Sequence, residues 1–300
     1  MTQQNPPTVL LTGASGFIGK HIEAALKPAG YRVLRGVSAK HCGAGDIAID
    51  FAKDSESDWQ QRFYQNPIEI VINAVGVLRD SRARPLKATH QSGPIALFNA
   101  CAGQVRRVIQ VSALGIEDNP TDYARTKRAA DEHLLKLAEN CPLSAAVLRP
   151  SIVFGKGGAS SNLFMNLAKL PVVCLPEPVL SARVQPLAVT DLAQAVVALI
   201  EDKASGIIEC AGPQALLLAD FIAHLRGQLG YQPARVLRLP NWLTQLSARA
   251  GDLIPISPWC SETLALLAKD NIADPATLHG LLGREAIHHS QWVEKLWQRK

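Results

Sequence analysis

Long apolar runs are missing from this 300-residue chain. No stretch reaches the roughly eighteen consecutive apolar residues that a membrane-spanning helix needs. The opening residues 1–7 also lack the basic and apolar regions of a secretory signal, so a cytoplasmic protein is expected. Cysteine is sparse and scattered: the six residues at 42, 101, 141, 174, 210 and 260 form no CxxC pair. That spacing offers no zinc site, no other metal site and no disulfide framework. Cys101 and Cys210 lie in apolar surroundings and read as small hydrophobes. Aromatic residues amount to 5% and never interleave with a basic stripe, and the net charge is only +5, so nucleic-acid binding is not expected. Repeats and low-complexity tracts are absent too. What remains, 47% hydrophobic and 19% charged residues, describes a globular chain long enough for one large domain and an appended lobe.

Near the N-terminus the sequence TVLLTGASGFIG places three glycines, Gly13, Gly16 and Gly19, directly after a short apolar strand and at the start of an amphipathic helix. A Cβ at Gly13 would obstruct a sharp strand-to-helix turn, one at Gly16 would hold the backbone off a pyrophosphate, and one at Gly19 would push the helix off the sheet. The helix N-terminus, with its unpaired N–H groups and positive dipole end, favours an anion there. A bound dinucleotide is the expectation.

Strand-like and helical segments then alternate. Residues 31–37 read as a second strand whose end carries Arg35, Ser38 and Lys40 with no acid before Asp46, an arrangement suited to the 2′-phosphate of NADP(H), with NAD(H) as the alternative. Residues 46–51 read as a third strand ending in Asp50, a carboxylate able to accept from an adenine amino group. A nearly all-apolar fourth strand, 68–74, leads to Asn73 and to Gly76, where a backbone can approach a ribose closely. Strands at 107–112 and 144–149 follow, and crossovers of this length predict a parallel sheet covered on both faces. The basic run Arg79, Arg82, Arg84 and Lys87 reads as a solvated loop, with an acidic substrate or lipid surface as the alternative.

Between the last two of these strands lies YARTK, with Tyr123 and Lys127 four apart and therefore on one helix face. A phenol beside an ammonium suits proton donation to a carbonyl: the ammonium favours the phenolate and should lower the tyrosine pKa, while the strand-terminal Ser112 hydroxyl can hold the carbonyl oxygen.

TGASGFIG at 12–19, DF at 50–51, NAVG at 73–76, SALG at 112–115, YARTK at 123–127 and RPSIVFG at 149–155 together resemble the extended or atypical short-chain dehydrogenase/reductases. INAVGVLRD, LRPSIVFGKGG and VQPLAVTDLAQAV look, more narrowly, like bacterial relatives of the nucleotide-binding accessory subunit of respiratory complex I. The resemblance implies that Ser15, Phe17 and Ile18 join the three glycines around the pyrophosphate and that Asp50 and Phe51 flank the adenine. It also implies that Asn73, Ala74, Val75 and Gly76 face the adenosine ribose and that Pro150, Ser151, Ile152 and Val153 border the nicotinamide. Tyr123 would be the acid, Lys127 its tuner and ribose ligand, and Ser112 the substrate's orienter. The expected fold is α/β, a Rossmann-type doubly wound parallel sheet over residues 1–155, completed by 184–212, with a smaller, mainly helical lobe at 156–183 and 213–300.

In that lobe the sequence predicts a proline-punctuated loop at 171–178, strands at 184–187 and 207–211, a helix at 191–200 capped by Thr190 or Asp191, and helices at 218–230, 242–253 and 261–269. Arg183 and Gln185 are the polar candidates for a substrate mouth, with a plain loop role as the alternative. The apolar-rich set Trp242, Leu243, Leu246, Leu253, Ile254 and Ile256 reads as core packing, with a peripheral membrane or protein partner as the alternative. His279, His288 and His289 read as surface residues.

Overall fold

The computed structural model describes residues 6–78, 80–81, 84–254, 259–267 and 269–297; Arg79, Arg82, Ile256 and Ala268 fall outside it. It divides into two compact units, one formed by Met1–Ala113, Asp122–Arg149 and Ala193–Ile208, the other by Leu114–Thr121, Pro150–Leu192 and Glu209–Lys300. In chain order the elements are β1 (Thr8–Thr12), α1 (Phe17–Leu26), β2 (Arg32–Val37), β3 (Ile47–Ala48), α2 (Glu56–Gln65), β4 (Ile70–Asn73), α3 (Gly93–Cys101), β5 (Arg107–Val111), α4 (Asp122–Asn140) and β6 (Ser144–Pro150). They continue with β7 (Val153–Phe154), α5 (Ala159–Lys169), β8 (Val172–Pro176), α6 (Glu177–Ser181), β9 (Arg183–Val184), β10 (Leu187–Ala188), α7 (Val189–Glu201) and β11 (Gly206–Cys210). The chain then forms β12 (Leu216–Leu217), α8 (Leu218–Gln228), β13 (Arg235–Leu239), α9 (Asn241–Asp252), α10 (Ser261–Leu266) and α11 (Pro275–Leu282).

Seven strands form one parallel sheet in the order β11-β6-β5-β4-β1-β2-β3, so the order reverses between β1 and β4. This is the expected Rossmann-type sheet with flanking helices. Its central strands β1, β4, β5 and β6 are buried on both faces. Leu10, Val71, Val108 and Val147 join one cluster with Trp59, Phe63, Leu97, Phe98 and Leu134 of α2, α3 and α4. The alternate residues Val9, Leu11, Ile70, Ile72 and Ile109, on the opposite face, are as fully buried. Ser55 and Asp58 form a reciprocal capping box at the start of α2, which fixes where that helix begins.

The second unit departs most from expectation. Residues 171–178 are not a loop: β8 pairs in parallel with β13, from Arg235 beside Val172 to Leu239 beside Pro176. The expected strand 184–187 splits into β9, antiparallel to β12, and β10, parallel to β7. Neither Thr190 nor Asp191 caps α7, which begins at Val189; the buried Asp191 instead accepts from Arg284 at 2.6 Å and from the Ile287 N–H at 2.7 Å. Gln185 is buried and donates to the Gly212 carbonyl at 2.7 Å, so it serves the interior of this unit. His289 is also buried, against Trp292 and His224, and is not a surface residue. Phe154, Phe221 and Trp292 meet at the centre, Phe154 stacked on Trp292 with ring centroids 4.9 Å apart and Phe221 edge-on to both. Trp242, Leu246, Leu253 and Ile254 do not join this core; they are exposed.

Candidate active site

Gly13 has a left-handed φ of +78°, and a Cβ there would lie 2.8 Å from the Ala74 carbonyl oxygen and 2.9 Å from the Val75 nitrogen. The glycine turn therefore rests directly on the loop that follows β4. A Cβ on Gly19 would fall 2.1 Å from the Gly13 carbonyl oxygen, so only glycine lets α1 sit this close to the turn. Gly16 is exposed at the N-terminus of α1, with Ser15, Phe17 and Ile18 partly buried around it. No side chain caps that helix and its first turn holds no acid, so its N–H groups suit a pyrophosphate in both position and charge.

Asn73 is fully buried. Its Oδ1 accepts from Thr12 Oγ1 at 2.6 Å and from the Val75 N–H at 3.2 Å, and its Nδ2 donates to Gln110 at 2.7 Å. Its side chain thus ties β1, β4 and β5 together and shapes the loop through Ala74, Val75 and Gly76. A Cβ at Gly76 would lie 3.6 Å from Lys127 Nζ and 3.8 Å from His90 Nε2. The glycine turn, the loop after β4 and the second turn of α4 thus gather at the carboxyl ends of β1, β4 and β5, where the strand order reverses and parallel α/β sheets bind ligands.

Ser112 follows β5 directly, and Tyr123 and Lys127 stand one turn apart on α4. Lys127 is buried and donates to the Val111 carbonyl at 3.0 Å, which fixes its ammonium beside Ser112. Burial lowers its pKa to about 8, against the opposing pull of Asp131. Tyr123 is half-buried with its ring edge-on to His90, centroids 5.2 Å apart. Contrary to the sequence expectation, its pKa is pushed up to about 12, because burial dominates and the Asp131 carboxylate adds to it.

Two site residues escaped the sequence reading. Asp131 is fully buried on α4 and accepts from Ser112 Oγ at 2.7 Å and from Arg149 Nε and Nη2 at 3.1 Å each. Burial raises its pKa, while Ser112, Arg149 and Lys127 oppose the rise. The spacing 123, 127, 131 was a readable signal, since residues four apart share a helix face. His90 had no such signal. Its Nε2 accepts the Val77 N–H at 3.0 Å, which leaves the proton on Nδ1, 3.4 Å from Thr126 Oγ1.

At the end of β2 the fold revises the charge pattern. Glu23 of α1 reaches Arg35 Nε at 3.1 Å, and Asp46, brought alongside by the β2–β3 pairing, lies 3.1 Å from Nη1. Arg35 is therefore neutralised. Ser38 Oγ lies 3.0 Å from His41 Nδ1, and Lys40 is exposed. Asp50 is exposed, bonded to the Ala52 N–H, while Phe51 is buried against Trp59. Pro150, Ser151, Ile152 and Val153 belong to the second unit, where the Ser151 hydroxyl donates to the Asn271 carbonyl at 3.0 Å. Cys101 and Cys210 are buried thiols whose pKa values burial pushes up, that of Cys210 to about 12, which leaves them unreactive.

A parallel sheet with a glycine turn at its order reversal and a Ser-Tyr-Lys set beside it defines a dinucleotide-binding protein of the short-chain dehydrogenase/reductase class. The chain belongs to the NAD dependent epimerase/dehydratase family, which it matches over residues 9–211, and the cofactor class is nicotinamide dinucleotide. Among curated relatives, a ceramide reductase from Caulobacter vibrioides is 27% identical over 78% of this chain and 74% of its own. Subunit 9 of the NADH dehydrogenase [ubiquinone] 1 alpha subcomplex from Arabidopsis thaliana is 27% identical over 81% of this chain and 62% of its own. The fold is shared with UDP-glucuronic acid 4-epimerase from Bacillus cereus, solved with UDP-glucuronic acid and NAD, at a TM-score of 0.70, 18% identity and coverage of 97% and 98% of the two chains. Among the described residues no helix is long and apolar enough to cross a membrane.

Proposed function

We propose that this chain is an NADP(H)-preferring oxidoreductase of the cytoplasm that reduces a small carbonyl compound to its alcohol. The observation that carries the reading is the placement of three side chains: Tyr123 and Lys127 stand one turn apart on α4, and Lys127 is anchored on the Val111 carbonyl at 3.0 Å, next in sequence to Ser112, which supports a phenol proton donor with an ammonium and a hydroxyl beside it. The cofactor, when bound, supplies the hydride for the carbonyl carbon. Tyr123 donates the proton, and the Lys127 ammonium, fixed on the Val111 carbonyl, stabilises the phenolate left behind. Ser112, with its own proton directed at Asp131, presents lone pairs that accept a hydrogen bond from the new hydroxyl or from Tyr123. Gly13, Ser15, Gly16, Phe17, Ile18 and Gly19 hold the pyrophosphate; Asp50 and Phe51 lie at the adenine, Ala74 to Gly76 at the ribose, and Pro150, Ser151, Ile152 and Val153 at the nicotinamide. Ser38 and Lys40 take the 2′-phosphate, with Arg35 behind them in its ion-pair cluster. The Caulobacter relative's name, a reductase, supports the direction.

Titration of NADPH and NADH against intrinsic tryptophan fluorescence tests the cofactor half: NADPH should bind at least about tenfold tighter, and Lys40→Glu should erase the difference. Equal affinities, or an unchanged preference in Lys40→Glu, overturn it. For the chemistry, NADPH oxidation with a panel of aldehydes and ketones should be lost in Tyr123→Phe while NADPH affinity stays within about twofold. The similarity to the complex I subunit favours a second reading, a nucleotide-binding assembly protein. Tight NADPH binding without turnover of any panel member would select it.

A further inference from the structure

Helix α9 is turned inside out relative to an ordinary amphipathic helix. Its buried face is small: Thr244, Ala248 and Gly251, with Gly251 so close to the Trp259 backbone that a Cβ would lie 2.0 Å from that carbonyl oxygen. The large side chains point away from this contact. Trp242 is 68%, Leu246 58% and Leu253 84% exposed, and Ile254, just beyond the helix, 53%. Positions 242, 246, 249 and 253 step by four, three and four, so Trp242, Leu246, Arg249 and Leu253 form one stripe along the exposed face. Among the described residues, seven of the twelve exposed large hydrophobic side chains fall between residues 231 and 254, a concentration that scattered surface apolar residues do not produce.

The charge of this segment narrows the occupant. It carries Arg235, Arg238 and Arg249 against a single acid, Asp252. Asp252 accepts from the Ser261 N–H and hydroxyl, and Arg238 is paired with Glu177 at 2.9 Å. Arg235 and Arg249 are exposed and have no ion pair among the described residues. An apolar stripe with a tryptophan at one end and an unneutralised guanidinium in its middle matches a surface that is anionic outside and hydrocarbon beneath. A second copy docked on the same stripe about a two-fold axis would bring Arg249 toward its own counterpart, with no acid on the stripe to balance it. We propose that α9 seats this protein on an anionic phospholipid surface, with Trp242, Leu246 and Leu253 entering the headgroup boundary and Arg249 contacting lipid phosphate.

Co-sedimentation of the full chain with vesicles tests this, using phosphatidylcholine alone or with about a quarter phosphatidylglycerol. Wild-type protein should partition onto the anionic vesicles at least about tenfold more than onto the neutral ones, and lose most of that binding in about 0.5 M salt. Leu246→Ser/Leu253→Ser and Arg249→Glu should each lower the partition on the order of tenfold or more. These side chains are exposed, so the melting temperature should not move. Tyr64→Ser, which removes a 92% exposed apolar side chain from α2, should bind like wild type. Absence of sedimentation, equal binding to neutral vesicles, or unchanged binding by the double variant overturns the proposal. A concentration-dependent dimer that the double variant converts to monomer also overturns it and assigns the stripe to a second copy.

Discussion

Acidification should destabilise this protein through His90 before it protonates most carboxylates. The imidazole is 1% exposed, its Nε2 accepts the Val77 N–H at 3.0 Å, and the ionisable groups beside it are Tyr123 and Lys127. Burial first, and the Lys127 charge second, drive its pKa from 6.5 down to about 2. In the unfolded chain the same ring takes a proton near pH 6.5. The folded pKa is thus depressed: the contribution is full above about pH 6.5 and is lost progressively as pH falls toward about 2. Between about pH 7.5 and pH 5 the loss is about 1.5 pKa units, or about 2 kcal/mol. His289, whose pKa is lowered to about 4 by burial, His288 and His224, costs a similar amount over the same window. Wild type should therefore lose about 4 kcal/mol from His90 and His289 together, and His90→Asn, which takes up no proton there, only about 2 kcal/mol from His289. Urea unfolding followed by far-UV circular dichroism at the two pH values measures the difference, and the ring-proton NMR titration of His90 reads its pKa directly. Equal losses in the two proteins, or a His90 ring that titrates above pH 5, would refute the reasoning.

Asp131→Asn removes the carboxylate that faces buried Arg149 and should cost about 3–5 kcal/mol, measured by the same unfolding assay. Asp131→Leu/Arg149→Met, which removes both charges, should cost clearly less than the sum of its single variants; additive costs would mean that the pair is not coupled. Gly19→Ala drives a Cβ into the Gly13 carbonyl and should cost at least about 3 kcal/mol and weaken dinucleotide binding, as read by thermal melts with and without NADPH. Gly227→Ala, on α8 where a Cβ meets nothing within 4 Å, should instead raise stability by about 0.5–1 kcal/mol.

The parallel sheet was legible because its central strands β1, β4 and β6 are largely apolar runs and the segments between strands are long enough to hold crossover helices. Gly13 and Gly19 were legible for a related reason: the turn they shape is built from neighbours in sequence, and Gly19 meets Gly13 six residues away. The second unit was not legible in the same way. β8 is punctuated by prolines, and its partner β13 lies more than sixty residues later, so neither strand declares itself without the other. The expected 184–187 strand failed similarly, since its halves pair with different partners.

By itself the sequence determined the class of fold, the place of the glycine turn and the spacing that puts Tyr123 and Lys127 on one helix face, because all three depend on interactions between near neighbours along the chain. Only the tertiary structure decided the charge at Arg35, which turns on carboxylates from α1 and from the approach to β3. It also decided the direction of the Tyr123 pKa shift, which burial and Asp131 push up, and the partner of the Ser112 hydroxyl. The face that α9 shows to solvent belongs to the same group: helical periodicity sorts large side chains from small ones, but which side is covered depends on what the rest of the chain places against it.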